Sequence, residues 1–265
     1  MTEEFAPGAL DPADVTAGLG TAVIGCEVRS YRQVGSTMDL AREAAQAGAP
    51  DGLVIVADEQ TAGRGRLNRQ WVAPPGSSLL TTTLLRPRPD IAPKLTIIAA
   101  LAVCEAIEEV TGLAVRLKWP NDALINGKKV CGILIEADSD GTADNLVAMV
   151  GIGLNVNFDP ANLTEAVFPP TTLSHELGRD VDRLSLLRAL LRSLDRLLAA
   201  AERGEPVHEQ WQQRLDTIGK LVRVTVGNDV VEGLAEGIGP NGELLVRKGD
   251  KSVVTILAGD VTLRG

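Results

Sequence analysis

Apolar positions along the chain change period several times, and each change marks an element. Leu53-Val-Ile-Val-Ala57 is a continuous β-branched run, which predicts a strand buried on both faces. Ser78 to Leu85, built of Leu and Thr, predicts another. Pro93 opens a stretch that is apolar on nearly every side until Gly112. Proline near the start and glycine just past the end frame a buried helix. Val115 to Trp119 predicts a strand, Pro120-Asn121-Asp122 a turn, and Ala123 to Ile125 its resumption. Asn126-Gly127 is a hairpin dipeptide, so Lys129 to Ala137 returns, and Leu146 to Asn157 follows as a further strand. Leu184, Leu187, Leu190, Leu191, Leu194, Leu197 and Leu198 recur at spacings of three and four with Arg188, Arg192 and Arg196 opposite. That is an amphipathic helix lying on a sheet, with a second helix at about 206–217.

The ends of the chain read differently. Residues 1–20 are rich in Ala, Gly, Pro and acids and read as a flexible lead-in with one short helix; Thr21 to Val28 then forms a first strand. Ser36-Thr-Met-Asp39 has capping-box character and opens a helix that stops near Gly48. From Lys220 the runs shorten. Leu221 to Val226, Val230 to Glu236, Glu243 to Arg247 and Ser252 to Leu257 are strands separated by Gly227-Asn228, Asn241-Gly242 and Gly249-Asp250. This is a compact all-β module that needs the larger body for support.

Composition narrows the function classes. Of 265 residues only 3% are aromatic, so aliphatic side chains must fill the core. A net charge of −9 argues against nonspecific binding to nucleic acid or anionic membrane. No apolar run approaches the roughly 18 residues of a membrane span, and the acidic N-terminus lacks the pattern of a secretory signal. Cys26, Cys104 and Cys131 are scattered, as expected of reduced thiols in a cytoplasmic protein. His175 and His208 lie far apart, so no dedicated metal site is expected.

Against this acidic background the cations of three segments stand out. They are Gly63-Arg-Gly-Arg66 directly after the 53–57 strand, Lys118 at the end of another strand, and Lys129 at the start of the return strand. Glycine permits close backbone approach, and arginine offers a planar fork of donors for phosphate or carboxylate. Two readings stand open for the Gly-Arg segment: an anion-holding loop, or a solvated basic surface loop. Ser36 and Thr37 either cap a helix or present its free N–H groups to a ligand. Asp122 is a turn residue, an acceptor for a ligand N–H, or a partner for Lys118. Cys131 reads as a wall residue. Gly132 and the glycines of Gly151-Ile-Gly-Leu-Asn155 sit inside strands, where glycine marks close approach by a ligand or another backbone.

Gly63-Arg-Gly-Arg-Leu-Asn-Arg-Gln-Trp71, Lys118-Trp-Pro-Asn-Asp122, Gly132-Ile-Leu-Ile-Glu136 and Gly151-Ile-Gly-Leu-Asn155 resemble, in order and spacing, the motifs of biotin–protein ligases. Ser36-Thr37 before a helix is similar too, and the resemblance spans about residues 30 to 265. It departs at Leu67 and Asn68, where the family pattern has a basic residue and glycine, and at Met38, where Asn is common.

The resemblance implies an α+β fold. It has a class II aminoacyl-tRNA-synthetase-like catalytic domain over 21–218, with a mixed sheet flanked by helices, and an SH3-like β-barrel over 219–265. It implies synthesis of biotinyl-5′-adenylate from biotin and Mg-ATP, then transfer to a lysine of the carrier domain of acetyl-CoA or a related acyl-CoA carboxylase. No nucleic acid or membrane partner is expected, and the chain reads as the monofunctional type without an N-terminal DNA-binding domain. By similarity Ser36, Thr37, Gln60, Arg64, Gly65, Arg66 and Lys129 bind biotin. Arg66, Arg69, Trp71, Lys118, Asn121 and Asn155 bind ATP, and Lys129, Arg66, Arg64 and Lys118 act in catalysis. The intermediate is prone to hydrolysis, so residues 61–70 are expected to be mobile until ligand orders them. The alternatives are a lipoate ligase or transferase of similar fold, a biotin-responsive repressor, and a binding module without activity.

Overall fold

A computed structural model describes residues 9–139, 146–163, 168–227 and 229–263. In chain order its elements are α1 (Pro12–Thr16), β1 (Val28–Val34), α2 (Thr37–Gln46), β2 (Val54–Gln60), β3 (Ser78–Leu85), α3 (Leu95–Thr111), β4 (Arg116–Lys118), β5 (Asp122–Ile125) and β6 (Lys128–Asp138). There follow β7 (Val147–Asn155), α4 (Leu173–Leu177), α5 (Arg183–Glu202), α6 (Val207–Arg214), β8 (Leu221–Val226), β9 (Asp229–Ile238), β10 (Leu244–Arg247), β11 (Val253–Ile256) and β12 (Asp260–Leu263). The expected turn at Gly227-Asn228 falls partly outside the described residues.

β1 to β7 form a mixed seven-stranded sheet in the order β1-β2-β3-β7-β6-β5-β4. β1 and β2 are parallel, and every other neighbouring pair is antiparallel. β8 to β12 form a second, antiparallel sheet in the order β11-β10-β9-β8-β12. No helix among the described residues is long and apolar enough to cross a membrane.

The core lies on the α3–α5 side of the large sheet. α3 runs into Gly112, whose φ of 73° lets its N–H close on the Glu108 carbonyl and end the helix. α3 is buried along Leu95 to Ile107 and turns acidic only near its end, where Glu108 pairs with Arg214 at 2.5 Å, Glu109 with Arg192 at 2.6 Å, and Glu105 with Arg196. The leucine stripe of α5 is buried against α3 as its spacing predicts. Asp182 caps α5, accepting from the backbone N–H groups of Leu184 and Ser185.

Several expectations need correction. Residues 21–27 are turns, and the first strand starts at Val28. The N–H groups of Ala22, Val23 and Ile24 all donate to the carboxylate of Asp195 at 2.8–2.9 Å, so no ladder claims them. From Ala9 onward the lead-in is not loose. Leu10, Val15 and Leu19 are buried in the main core, and Arg188 of α5 donates to the carbonyls of Asp14 and Ala17 at 2.7 and 2.6 Å. α6 stops at Arg214 rather than near 217, because Leu215 bridges to Leu117 and the Asp216 N–H donates to the Leu117 carbonyl. α4 and β12 were not foreseen.

The β module is held firmly to the larger body. Trp119 is 1% exposed, donates from Nε1 to the Gly242 carbonyl at 2.9 Å, and donates its backbone N–H to Thr217 Oγ1 at 3.0 Å. The Lys-Trp-Pro-Asn-Asp segment therefore uses its tryptophan as an anchor and its polar residues elsewhere.

Candidate active site

Strand register assembles the floor of a cavity of about 720 Å³ on the sheet face opposite α3. Lys118 is paired with Asp122, Asp122 with Gly132, Gly132 with Gly153, and Gly153 with Leu80. Directly paired residues share a face, so one row across the sheet carries a cation, a carboxylate and two bare glycines. The next row is Leu134, Gly151 and Thr82. A Cβ at Gly153 would lie 2.5 Å from Trp71 Cε2, and one at Gly132 would lie 2.8 Å from Trp71 Cζ3. The strand glycines exist so that the indole of Trp71 can lie flat on the sheet. Met38 covers Gly151 in the same way, its sulfur 3.0 Å from where a Cβ would stand.

The Gly-Arg loop folds back on itself above this floor. The Trp71 N–H donates to the Gly63 carbonyl at 3.0 Å, and the Gly65 N–H to the Arg69 carbonyl at 2.7 Å. A Cβ at Gly63 would meet the Trp71 carbonyl oxygen at 2.5 Å, so that glycine is required by close approach. Between them a single 3₁₀ turn runs from Arg66 to Asn68, with Leu67 in the left-handed region at φ 55° and its side chain exposed.

Its three arginines leave in three directions. Arg64 forks onto Asp39 of α2, with Nη1 and Nη2 donating at 2.8 and 2.7 Å. That hydrogen-bonded pair holds the Asp39 carboxyl below its ordinary range. The capping box is therefore only half made: Ser36 Oγ accepts from the Met38 N–H at 3.3 Å, while Asp39 turns to the loop. Arg69 pairs with Asp260 of the β module. Arg66 lies between them, donating to Asn121 Oδ1 at 3.3 Å and to the Gly259 carbonyl at 3.2 Å.

The lysines divide similarly. Lys129 pairs with Asp122 at 2.6 Å, its ammonium 5.5 Å from the centre of the Trp71 ring. Of the alternatives for Asp122, the ion pair with Lys118 is not made; its ionic partner is Lys129. Lys118 sits over the ring of Phe168 at 4.4 Å. Among the described residues, no carboxylate forms an ion pair with Arg66 or Lys118. Burial pushes both pKa values down. Asp122 and Asp260 act on both from beyond ion-pair distance and offset this only in part. A partly desolvated cation with no carboxylate in contact is costly, and an arriving anion would relieve both.

The other end of the cavity is neutral. The backbone N–H and hydroxyl of Thr37 both point to Gln60 Oε1, at 2.8 and 3.0 Å, and the Thr37 and Thr82 hydroxyls are 2.8 Å apart. These bonds fix the carboxamide of Gln60 beside the first turn of α2. Asn155 is 2% exposed and donates to the Thr171 carbonyl at 3.1 Å; its Oδ1, like Trp71 Nε1, has no partner among the described residues. Asn121 Nδ2 donates to the Ile133 carbonyl at 2.6 Å, locking the amide that receives Arg66. Cys131 is wholly buried on the α3 side; burial pushes its thiol well above the ordinary range, which suits the inert role expected of it.

Every residue proposed from the sequence lines this one cavity: Ser36, Thr37, Gln60, Arg64, Gly65, Arg66, Arg69, Trp71, Lys118, Asn121, Lys129 and Asn155. Sequence reasoning missed Asp39, Phe168, Gly259 and Asp260. Asp39 carried a signal, since an acid in the first turn of a helix beside a basic loop is a natural partner. Phe168 and Asp260 carried none.

Comparison with known proteins agrees with this geometry. Residues 30–157 match the biotin/lipoate A/B protein ligase family, and residues 217–264 match the biotin protein ligase C terminal domain. The bifunctional ligase/repressor BirA of Bacillus subtilis is 34% identical over 97% of this chain and 80% of its own length. The biotin–[acetyl-CoA-carboxylase] ligase of Mycobacterium tuberculosis is 35% identical over 86% of each. Among solved structures, the biotin protein ligase of Aquifex aeolicus in complex with biotin and ATP superposes with a TM-score of 0.76 at 29% identity, covering 90% of this chain and 99% of that one. The chain belongs to the biotin protein ligase family.

Proposed function

We infer that this chain is an ATP-dependent biotin–protein ligase that makes biotinyl-5′-adenylate and passes the biotinyl group to a lysine of a carboxylase carrier domain. One observation carries the reading: two half-buried cations with no carboxylate in an ion pair with them among the described residues, Arg66 and Lys118, share a cavity with Lys129 and a fixed array of neutral hydrogen-bonding groups. The reaction brings a carboxylate up to an α-phosphate. Such a step needs positioning and charge neutralisation more than proton transfer.

In this reading Ser36, Thr37 and Gln60 receive the polar fused ring of biotin beside the first turn of α2, with Gly65 close to it. Lys129 and Arg66 hold the carboxylate and the α-phosphate against each other, and Lys118 takes a phosphate oxygen. Trp71, Asn121, Asn155 and Arg69 serve the nucleotide side. Arg64 acts chiefly by holding the loop through Asp39. Magnesium enters with ATP as its counter-ion; among the described residues no group of three or more His, Cys, Asp or Glu is arranged to hold an ion. The catalytic work falls to residues 21–218, and 219–265 completes the wall of the site.

A lipoate-transferring relative is the competing reading, since one matching family spans both activities. The match of 217–264 to a biotin protein ligase module favours biotin. The test is transfer of labelled biotin to a carboxyl-carrier domain with and without ATP and magnesium, with lipoate as the rival substrate. Label on the acceptor lysine that requires ATP and is not displaced by lipoate is expected. ATP–pyrophosphate exchange driven by lipoate alone would overturn the assignment.

A further inference from the structure

The turn between β11 and β12 belongs to the β module, yet it ends inside the cavity wall with Asp260, Val261 and Thr262. Two of its groups meet the Gly-Arg loop. The Asp260 carboxylate pairs with Arg69, and the Gly259 carbonyl accepts from Arg66. The turn is not free to drift. A Cβ at Gly259 would stand 2.8 Å from Val224 Cγ1 and 2.9 Å from the Thr225 carbonyl oxygen, so the glycine lies flush on β8. Asp260 is register-paired with Thr225. The module is itself fixed to the large sheet by Trp119 and by Gln212, whose Oε1 accepts from the Ile238 N–H at 2.9 Å.

The loop is therefore held at two points on different bodies. Arg64 is fastened to Asp39 of α2, and Arg69 to Asp260 of the β module, with Arg66 suspended between them over the floor. We propose that Asp260 is a positioning residue: the β module latches the Gly-Arg loop over the cavity and thereby sets how long the acyl-adenylate is retained before an acceptor arrives. This rests on the ligase reading above. Asp260 touches no reacting atom; it acts through Arg69 and the loop. Both partners are partly exposed, Arg69 at 49% and Asp260 at 32% of their side chains, so the latch is screened by salt and is light enough to open for the acceptor lysine.

The experiment uses the full chain. Biotin-dependent ATP–pyrophosphate exchange is measured first; its absence in the unaltered protein would overturn the ligase reading, and the latch with it. Preloaded labelled adenylate is then followed as it leaves the protein, at low and high salt. Asp260→Asn is expected to release it faster by up to about fivefold, the upper end for an exposed ion pair, and Asp260→Glu to restore retention. Release from the unaltered protein is expected to quicken with salt, and release from Asp260→Asn to quicken less, because the Arg64–Asp39 pair and the cavity cations remain while the latch's own contribution is gone, a difference that a merely structural role of Asp260 would not produce. Asp260→Asn combined with Arg69→Gln is expected to release no faster than the faster single variant. The latch is wrong, with the ligase reading intact, if exchange is present and Asp260→Asn keeps the adenylate as the unaltered protein does. It is equally wrong if the two substitutions multiply as independent effects.

Discussion

The two faces of the seven-stranded sheet share their strands and follow opposite rules. On the α3 side the residues of β6 and β7 are Cys131, Ile133, Ile152 and Leu154, all buried against aliphatic helices. On the other side, over the cavity, their alternate neighbours include Gly132, Gly151 and Gly153, which contribute no side chain, while Leu134 and Met149 of the same strands pack in a smaller cluster under α2. One face is filled by the sheet itself. The other is emptied by it at these glycines and filled there from outside, by Trp71 of the loop and Met38 of α2. A packed face gives rigidity, and an emptied face gives room for ligand with a movable cover. Neither works alone, because the floor keeps its shape only if the far side is tightly filled.

The strongest way to test this division is to damage the filled face. Leu101→Ala in α3 removes a side chain that is 1% exposed. It is expected to cost about 2–5 kcal/mol of stability, read as a lower urea midpoint. Adenylation per folded molecule should stay close to normal. If activity falls in step while the midpoint holds, the faces are not separate in function.

The converse damage is to fill the emptied face. Gly153→Val puts branched carbon where the Trp71 indole lies. The loop must lift, misplacing Arg66, and a displacement of about 1 Å at such a site is worth roughly a hundredfold in rate. The expected result is that loss in adenylation with a melting temperature close to the parent's. A variant that folds and adenylates normally would show that the indole has another resting place.

How far these faces were legible in the sequence follows from the same contrast. The filled face announces itself through period and composition. Ser78 to Leu85 was read with the limits observed for β3, and the leucine spacing found α5. The strand glycines were also legible as marks of close approach, but what approaches was not, because Trp71 is brought onto them only by the loop's return. What failed outright depended on distant partners. Ala22 to Ile24 look like strand residues until Asp195, more than 170 positions on, takes their N–H groups. β12 is four residues long and gains strand geometry only by pairing with β8, so no local pattern betrays it or its Asp260.

A smaller change separates the loop's arginines. Arg66→Ala leaves Arg64 and Arg69 fastened and removes the cation that lies between them, with its bonds to Asn121 and Gly259. Loss of one charged hydrogen-bonding group is expected to speed escape of the adenylate by about 10- to 100-fold, with urea stability unchanged or slightly raised, because a desolvated charge has gone. Retention equal to the parent's would mean that the loop's cover, and not its charge, guards the intermediate.

The finest distinction is in protons at Lys118, on the emptied face. Burial pushes its pKa below the 10.5 of a free lysine in the ligand-free protein. Between the folded value and the unfolded value the unfolded chain holds the proton and the folded chain does not. In that alkaline window this group makes stability rise with pH, the opposite of a lysine that gains a partner on folding. An anion set beside Lys118 favours its charged form and lifts the pKa back. Binding of ATP in the window must therefore draw a fraction of a proton from solution. Calorimetry in two buffers of different ionisation enthalpy reads that uptake directly. Lys118→Met should abolish it. Binding that takes up no proton across the alkaline range would place the phosphates away from Lys118, and would leave Arg66 as the cation the anion meets.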